Sequence, residues 1–175
     1  MFAGKTEELI RRVNRLKYAG QTYAAFKPVV DNRYSKTEIV THNGIKIPAK
    51  AVKNAGEILY AVKNGCDVNV IVIDEAQFFR SDLVEVAIEL SKNRRVIIAG
   101  LDTDFRGRPF GPIGDLLAVA DEDVHLKAVC IVCGRPATRT QRLTNGKPSR
   151  QDEPIILIGS DNVYQARCRA CHVVF

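Results

Sequence analysis

The chain has 175 residues, of which 46% are hydrophobic and 26% charged, and its formal net charge is +6. This composition supports one substantial core and excludes a disordered or low-complexity chain. No apolar run reaches the roughly 18 residues of a membrane span, and the opening MFAGKTEELIRR lacks the order of a signal peptide because its basic residues follow the apolar ones. We therefore predict a cytoplasmic protein with no membrane partner.

The hydrophobic pattern predicts helices and strands that alternate along the chain. Apolar residues at helical spacing predict helices over residues 6–19, 56–63, 82–92 and 113–120. Continuous apolar runs predict strands over residues 22–30, 68–73 and 96–101. Gly20 is the expected stop of the first helix, and Ser81 is the expected N-cap of the third. Apolar strands between helices are typical of a parallel sheet covered on both faces, so we predict an α/β fold.

The first helix begins with Gly4-Lys5-Thr6, the three residues that end a phosphate-binding loop. Backbone N–H groups at a helix start, together with the helix dipole, attract phosphate oxygens. In such a loop the lysine reaches the β- and γ-phosphates, and the threonine hydroxyl coordinates Mg²⁺. The full motif contains an earlier glycine, whereas Met1-Phe2-Ala3 precedes Gly4 here. Taken alone, these three residues could be a chance match.

Two acidic residues, Asp74 and Glu75, directly follow the strand predicted over residues 68–73. An acid after a buried strand fits the Mg²⁺ ligand of P-loop enzymes. A second acid suits a base that accepts a hydroxyl proton. The alternatives are a solvated pair at the strand end or a helix-capping acid. The Gly-Lys-Thr sequence, one strand–helix–strand unit upstream, favours the functional interpretation.

Four of the five cysteines form two pairs with the spacing C-x2-C-x34-C-x2-C, at Cys130, Cys133, Cys168 and Cys171. Two such pairs can supply four thiolates to a tetrahedral Zn²⁺, and a site closed by four protein ligands is structural. Buried thiols or redox pairs are the alternatives, but the identical spacing of the two pairs favours zinc. His172 is either a spare ligand or a solvent-facing histidine, and Cys66 stands alone.

The segment between Cys133 and Asp152 is basic, with no acidic residue among Arg135, Arg139, Arg142, Lys147 and Arg150. Such a patch can face nucleic acid or nucleotide phosphates, or can simply be a solvated surface. It leaves open a P-loop ATPase with a zinc ribbon that nucleic acid stimulates. A zinc module that binds RNA without catalysis is a weaker alternative, because it leaves the Gly-Lys-Thr sequence and the acidic pair unexplained.

Several longer segments resemble the zinc-containing thymidine kinase family of bacteria and animals, the type II or cellular form. They are MFAGKTEELIRR, FKPVVDNRYS, VIDEAQFF, AGLDTDFRGRPFG, the AVC-x-x-C pair and the final Y-x-x-x-C-x-x-C. The resemblance covers essentially the whole chain, with its motifs in the same order. It implies a RecA-like P-loop NTPase domain over residues 1–128, with a mostly parallel sheet and helices on both faces. A small zinc-ribbon-like domain over residues 129–175 would follow.

The resemblance implies an activity: ATP-dependent phosphorylation of the thymidine 5′-hydroxyl to give dTMP. Glu75 would be the catalytic base, and Thr6 and Asp74 would hold Mg²⁺. Contacts to ATP and its phosphates would come from Met1, Phe2, Ala3, Gly4, Lys5, Thr6, Asp31, Arg33, Asp74 and Gln77. Contacts to thymidine would come from Met1, Leu101, Phe105, Phe110, Thr140, Ile155, Leu157, Ile158, Gly159 and Tyr164. Residues 144–154 match a flexible loop that closes over the nucleoside.

The resemblance also carries expectations about assembly and regulation. It implies a homotetramer, feedback inhibition by the thymidine triphosphate, structural Zn²⁺, and no nucleic-acid partner. Family members carry a further strand and the first loop glycine before the position of Met1. We therefore expect residues upstream of this methionine in the natural protein, an expectation that an intact-mass measurement tests.

Overall fold

A computed structural model of the chain describes residues 1–31, 37–41, 43–65, 67–157 and 163–175. Its helices are α1 (Lys5–Tyr18), α2 (Ala55–Lys63), α3 (Asp82–Ser91) and α4 (Ile113–Val119). Each begins and ends within one residue of the range expected from the hydrophobic pattern. The prediction of these four helices is confirmed.

Gly20 ends α1 as expected from the sequence. Its φ of +64° lies in the left-handed region, where glycine has no steric cost. The Gly20 N–H donates to the Lys17 carbonyl at 3.2 Å, and the Gln21 N–H donates to the Leu16 carbonyl at 3.0 Å. This pair of bonds is a Schellman motif, which satisfies carbonyls that the helix end would otherwise leave without partners.

The N-terminal caps of α2 and α3 differ from the expectation. Asn54, which the sequence analysis did not identify as a cap, accepts a hydrogen bond from the Glu57 N–H at 3.1 Å. Ser81 precedes α3, but in the described part of the chain its side chain makes no capping hydrogen bond. Its backbone is already helical, with φ −59° and ψ −24°, so its side chain is not placed to reach the first helical N–H groups.

The strands of the first 100 residues are short. In chain order, β1 to β6 are Tyr23–Pro28, Glu38–Val40, Lys46–Pro48, Lys50–Val52, Val70–Ile73 and Arg95–Ile98. Four of them form a parallel sheet in the order β4-β1-β5-β6, whereas β2 and β3 form an antiparallel hairpin. Sequence analysis found β1, β5 and β6 but missed β2, β3 and β4, because runs of three residues give too few positions to show a period.

Helices cover both faces of the parallel sheet, as predicted. On one face, α1 packs with Leu9, Ile10 and Val13 against Val70 and Val72 of β5. On the other face, α2, α3 and α4 pack against Ile71 and Ile73 of the same strand. The side chains of β5 alternate between the faces, and all four are buried. A strand that is buried on both sides therefore has a continuous apolar sequence. The predicted α/β fold is confirmed.

The carboxyl ends of the central strands lie side by side. Phe26 of β1 pairs with Ile73 of β5, which in turn pairs with Ile98 of β6. Asp31, Asp74 and Leu101 follow these ends in the sequence. In open α/β sheets this edge is where ligands bind. Within the described ranges, β6 pairs only with β5, and the strand expected before Met1 stays a prediction.

The cysteine-bounded segment forms a separate set of strands. In order, β7 to β11 are Ala128–Val129, Pro136–Ala137, Arg139–Thr144, Lys147–Pro148 and Tyr164–Arg167. β9 lies between β10 and β11 in an antiparallel sheet, and β7 pairs with β8. The four cysteines lie against this unit, in agreement with the predicted small C-terminal module. The boundary predicted between residues 128 and 129 stays a prediction.

Gly111 allows the loop before α4 to lie directly on the turn after β5. Its φ is +54°, and a Cβ atom at this position would lie 2.3 Å from the backbone oxygen of Gln77. Heavy atoms at that distance cannot coexist, so any side chain would push the loop away from Gln77. Gly20 has a similar φ of +64°, but a Cβ there would meet nothing within 4 Å.

These two glycines give a matched test of the loop packing. Gly20→Ala should lower the free energy of unfolding by about 1–2 kcal/mol, the cost of a left-handed L-residue. Gly111→Ala should lower it by clearly more, because the clash with the Gln77 backbone adds to that cost. Urea denaturation followed by circular dichroism measures both changes. Equal losses in the two variants would show that the loop does not depend on this close approach.

Candidate functional site

One cleft of about 890 Å³ runs along β6 and residues 119–127, across the carboxyl edge of the sheet and along the C-terminal unit. All the described residues that sequence analysis assigned to ATP, Mg²⁺ or thymidine line it. They are Met1, Phe2, Ala3, Gly4, Lys5, Thr6, Asp31, Asp74, Glu75, Gln77, Leu101, Phe105, Phe110, Thr140, Ile155, Leu157 and Tyr164. Three further assigned residues, Arg33, Ile158 and Gly159, lie outside the described residues. The roles assigned to individual residues stay predictions.

Lys5, in the first turn of α1, lies between the two acids that follow β5. Its Nζ is 2.6 Å from Asp74 Oδ1 and 3.4 Å from Glu75 Oε1. The three side chains are only 20%, 5% and 12% exposed, so water screens this contact weakly. Burial opposes the charge on Lys5, but the two carboxylates outweigh it and raise the pKa of Lys5 above its usual range. Lys5 is therefore a charged group at neutral pH.

The two carboxyl groups differ in their surroundings. Burial raises the pKa of the Asp74 carboxyl, and the Lys5 ammonium opposes that rise. Glu75 has φ 51° and ψ 41°, a left-handed conformation that costs a side-chain-bearing residue free energy and that clusters at functional sites. The Glu75 N–H donates to Asp74 Oδ1 at 2.9 Å. The acidic pair is therefore a tight turn built to present two carboxylates to one lysine.

The Gln77 side chain holds Glu75 in place. Its Nε2 donates to Glu75 Oε2 at 2.5 Å, and its Oε1 accepts from the Leu101 N–H at 3.0 Å. The residue is 2% exposed. Sequence analysis assigned Gln77 to the nucleotide. In the structure its amide connects the acidic pair to the loop after β6.

An aromatic group lines the cleft beyond the acidic pair. Phe110 meets Phe78 edge to face, with ring centroids 5.7 Å apart and an angle of 85° between the rings, an arrangement that aromatic pairs prefer. Phe105 is 4% exposed and lines the same cleft with Leu101. Such a surface suits a flat, mostly apolar ring. Sequence analysis missed Phe78, although it is part of the quoted VIDEAQFF segment.

Asp104 shapes the loop that carries Phe105. Its Oδ1 accepts from the N–H groups of Arg106 and Arg108 at 2.9 and 3.0 Å. Its Oδ2 lies 2.8 Å from the Arg106 guanidinium, and Asp104 is 3% exposed. The loop is therefore fixed by a buried carboxylate. Sequence analysis missed this role, although an aspartate ahead of Gly107 is a turn signal.

The C-terminal unit closes one side of the cleft. Thr140 Oγ1 accepts from the Met1 nitrogen at 2.9 Å, which joins β9 to the loop before α1. The Tyr164 hydroxyl donates to the Leu157 carbonyl at 2.8 Å. Ile155 and Leu157 are 41% and 48% exposed at the rim. The structure thus brings Met1, Thr140, Leu157 and Tyr164 to one wall, and their contacts to thymidine stay predictions.

Residues 144–154 make defined contacts within the C-terminal unit, and their role as a flexible loop that closes over the nucleoside stays a prediction. Asn145 and Gly146, with φ 52° and 76°, form a two-residue turn between β9 and β10, as an Asn-Gly pair favours. Glu153 then accepts from the Arg150 N–H at 2.8 Å and from the Thr144 hydroxyl at 2.7 Å. These two donors, ahead of Arg142, lower the pKa of Glu153. The segment is held at both ends by contacts within the C-terminal unit.

The four predicted zinc ligands converge. The Sγ atoms of Cys130, Cys133, Cys168 and Cys171 all lie within 4.8 Å of one another. The Sγ atoms of Cys133 and Cys168 are 3.6 Å apart, and a tetrahedral Zn²⁺ with Zn–S bonds of about 2.3 Å requires an S–S distance of roughly 3.8 Å. The cluster therefore has the size and ligand type for a zinc ion. Among the described residues it is the group of metal-ligating side chains that meets this test.

The surroundings favour thiolates at Cys130 and Cys133, whereas hydrogen bonds with the Cys168 and Cys133 side chains raise the pKa of the Cys171 thiol to about 12. Burial opposes the charge on Cys130, but N–H groups of Cys168, Val132 and Cys133 lower the pKa of its thiol to about 6. The Arg135 guanidinium donates to Cys133 at 3.4 Å and lowers the pKa of that thiol. Metal ions bind the deprotonated sulfur. His172 points elsewhere: its Nε2 lies 2.8 Å from the Phe105 carbonyl oxygen, which can only accept, so it is not a spare ligand.

Three of the five basic residues in the segment between Cys133 and Asp152 make contacts within the protein. Arg142 is 1% exposed, Arg135 faces the cysteine sulfurs, and Arg150 pairs with Asp152 at 3.1 Å. A surface that binds nucleic acid needs several cations free to reach phosphates. This arrangement gives the nucleic-acid alternative no structural support from these three residues.

A family model described as thymidine kinase matches residues 1–172. The chain belongs to the thymidine kinase family. The match spans both the cleft and the cysteine cluster, so it covers the phosphate-loop residues, the acidic pair and the aromatic loop together. As a member of the thymidine kinase family, the chain is a kinase, and the suspected resemblance is confirmed. Within the described ranges, the structure contains no helix with the length and apolar character of a membrane span.

The contacts of Gln77 give a test of its role. Gln77→Met keeps the volume but removes the hydrogen bond to Glu75, which should lower kinase turnover about tenfold to a hundredfold, since a hydrogen bond to a charged group contributes about 1.5–3 kcal/mol. The Kd for ATP, measured by calorimetry, should change less than about twofold. A tenfold weaker ATP affinity with unchanged turnover would instead support a direct contact between Gln77 and ATP. Gln21→Met, at an exposed position, is the control.

The cysteine cluster gives a second test. Cys168→Ser should lower the zinc content from one ion per chain toward zero, because a closed site loses a thiolate ligand. Arg169→Ser changes the exposed neighbour and should keep the metal. Elemental analysis of the purified variants measures the content. Equal zinc in both variants would remove Cys168 from the ligand set.

Proposed function

We propose that the chain transfers the γ-phosphate of ATP to the 5′-hydroxyl of thymidine and produces dTMP. The observation that carries this proposal is the contact of Lys5, at the head of α1, with Asp74 and Glu75. It joins a phosphate-attracting helix start to a pair of acids, inside a cleft that continues to the aromatic rings. Family membership supports thymidine and ATP as the two substrates.

The phosphates of ATP are proposed to lie at the N-terminus of α1. The N–H groups there and the positive end of the helix dipole suit an anion. Lys5 already carries its charge and would exchange part of its contact with the carboxylates for the γ-phosphate. Thr6 and Asp74 would hold Mg²⁺, which neutralises phosphate charge when bound. Asp31 and Arg33 are assigned to the triphosphate on the family resemblance.

Glu75 is proposed as the base. Phosphoryl transfer proceeds through a loose transition state, so orientation of the acceptor matters more than base strength. Glu75 would accept a hydrogen bond from the 5′-hydroxyl and align its oxygen with the γ-phosphorus. As the new P–O bond forms and the bond to the β-phosphate oxygen breaks, the hydroxyl proton passes to the Glu75 carboxylate. ADP leaves with the electron pair of the broken bond.

Thymine is proposed to bind between the aromatic loop and the C-terminal wall. Leu101, Phe105 and Phe110 line one side of the cleft, and Thr140 and Tyr164 line the other. Zn²⁺ at the four cysteines would fix the strands that carry this wall, which is a structural role. Homotetramer formation, feedback inhibition by the thymidine triphosphate and a cytoplasmic location are proposed on the family resemblance.

One assay separates this function from the nucleic-acid-stimulated ATPase. Protein is incubated with γ-labelled ATP and thymidine, with and without DNA. Labelled dTMP at a rate that DNA does not change is the expected result. Release of labelled phosphate that depends on DNA, without labelled dTMP, would support the ATPase and contradict the proposed function.

Removal of the base tests the mechanism. Glu75→Gln keeps the size and the hydrogen-bonding capacity of the side chain but not its basicity. Turnover should fall about a hundredfold or more, the range for loss of a general base, and the Kd for ATP should stay close to that of the wild type. Glu85→Gln, at an exposed position of α3, should keep full turnover. If Glu75→Gln is as active as Glu85→Gln, Glu75 is not the base.

A further inference from the structure

Arg142 is buried although it carries a full positive charge. It lies in the middle of β9 and is 1% exposed. Among the described residues, its side chain has the largest volume of those that are fully buried. An arginine is rarely buried completely unless its charge and its N–H groups have partners. Its contacts therefore show which parts of the protein this residue holds together.

The three guanidinium nitrogens all donate to one short segment. Nε donates to Ser149 Oγ at 3.2 Å, and one terminal nitrogen donates to the Pro154 carbonyl at 2.5 Å. The other terminal nitrogen lies 3.2 Å from Glu153 Oε2. The planar, forked donor set of arginine suits such a fixed arrangement of acceptors. Residues 149–154 are thus held against β9 by one side chain.

The face of the same guanidinium lies on an aromatic ring of the cleft. Its central carbon is 3.7 Å from the centroid of the Phe105 ring, well inside the range of a cation–π contact. Phe105 is on the loop after β6 and is 4% exposed. Arg142 therefore joins two parts of the chain that are far apart in sequence: the aromatic loop, which lines the cleft, and the segment that ends at Pro154, directly before the cleft residues 155–157.

Ile155 follows Pro154 directly, and residues 155–157 line the cleft. The other end of this stretch is held from the neighbouring strand. Tyr164 of β11 pairs with Arg142 of β9, and its hydroxyl donates to the Leu157 carbonyl at 2.8 Å. Two residues at one register position thus hold both ends of residues 155–157.

We propose that Arg142 is a positioning residue for the nucleoside half of the cleft. It sets the distance between the Phe105 ring and residues 155–157, and so fixes the width of the space for the base. This inference rests on the proposed function, because the occupant of that space is taken to be thymine. Arg142 itself does not touch the phosphate loop in any contact of the described residues, so its loss should spare ATP.

Arg142→Lys tests the inference, because lysine keeps the charge but has neither the planar stacking face nor the forked donors. The KM for thymidine should rise about tenfold or more, in line with the loss of a charge-assisted hydrogen bond. The KM for ATP should stay within about twofold. Arg150→Lys changes an arginine that is 75% exposed and should alter neither KM. Equal rises in both KM values for Arg142→Lys, or no rise in either, would overturn the proposal.

A second readout does not depend on activity. Hydrogen exchange by mass spectrometry should show faster exchange in Arg142→Lys both in residues 149–157 and in residues 101–110. Faster exchange in residues 149–157 alone would show that Arg142 does not connect the C-terminal unit to the aromatic loop, and would overturn the proposal. If Arg142→Lys does not fold, Arg142→Met keeps an apolar side chain of similar length without a buried charge, and the same criteria apply. If the wild type phosphorylates no thymidine, the proposed function is wrong. The hydrogen-exchange result still tests whether Arg142 links residues 101–110 to residues 149–157.

Discussion

The structure depends on one buried contact, the ammonium of Lys5 between the carboxylates of Asp74 and Glu75. A buried ion pair contributes little net stability, because removing charges from water costs about as much as their attraction returns. Its value here is geometric. It fixes the head of α1 against the carboxyl end of β5, and it leaves one lysine shared by two acids. A phosphate group with a bound metal ion matches these charges. Its anionic oxygens can pair with Lys5, and its cation can pair with the two acids.

The parallel sheet makes that contact possible. Because β1, β5 and β6 are parallel and Phe26, Ile73 and Ile98 share one register position, the polar residues that follow these strands share one edge. The left-handed backbone at Glu75 places its carboxylate within hydrogen-bond distance of the Gln77 amide. The same amide accepts a hydrogen bond from the Leu101 N–H. Gly111 lets the aromatic loop lie on the same turn. The proposed base and the proposed nucleoside pocket are therefore parts of one packed unit.

Much of this could be predicted from the sequence. The helices and the long apolar strands follow from hydrophobic period, and the zinc ligands follow from two identical cysteine spacings. The strands of three residues, β2 to β4, carry too short a pattern. The role of Gln77 depends on a backbone turn that no local pattern shows. The burial of Arg142 could not be predicted, because a basic residue in a basic segment is expected at the surface. Only the tertiary packing buries this side chain. The role assigned to each site residue is still a prediction.

ATP and thymidine, bound together, are proposed to span the cleft from α1 to the aromatic loop. A crystal structure with a bisubstrate analogue, in which a polyphosphate joins adenosine to thymidine, measures this most directly. We expect phosphate oxygens on the N–H groups of residues 4–6 and on Lys5, with the thymidine 5′-oxygen within hydrogen-bond distance of Glu75. Phosphates bound instead along the basic residues 135–150, with Lys5 still held by both carboxylates, would contradict it.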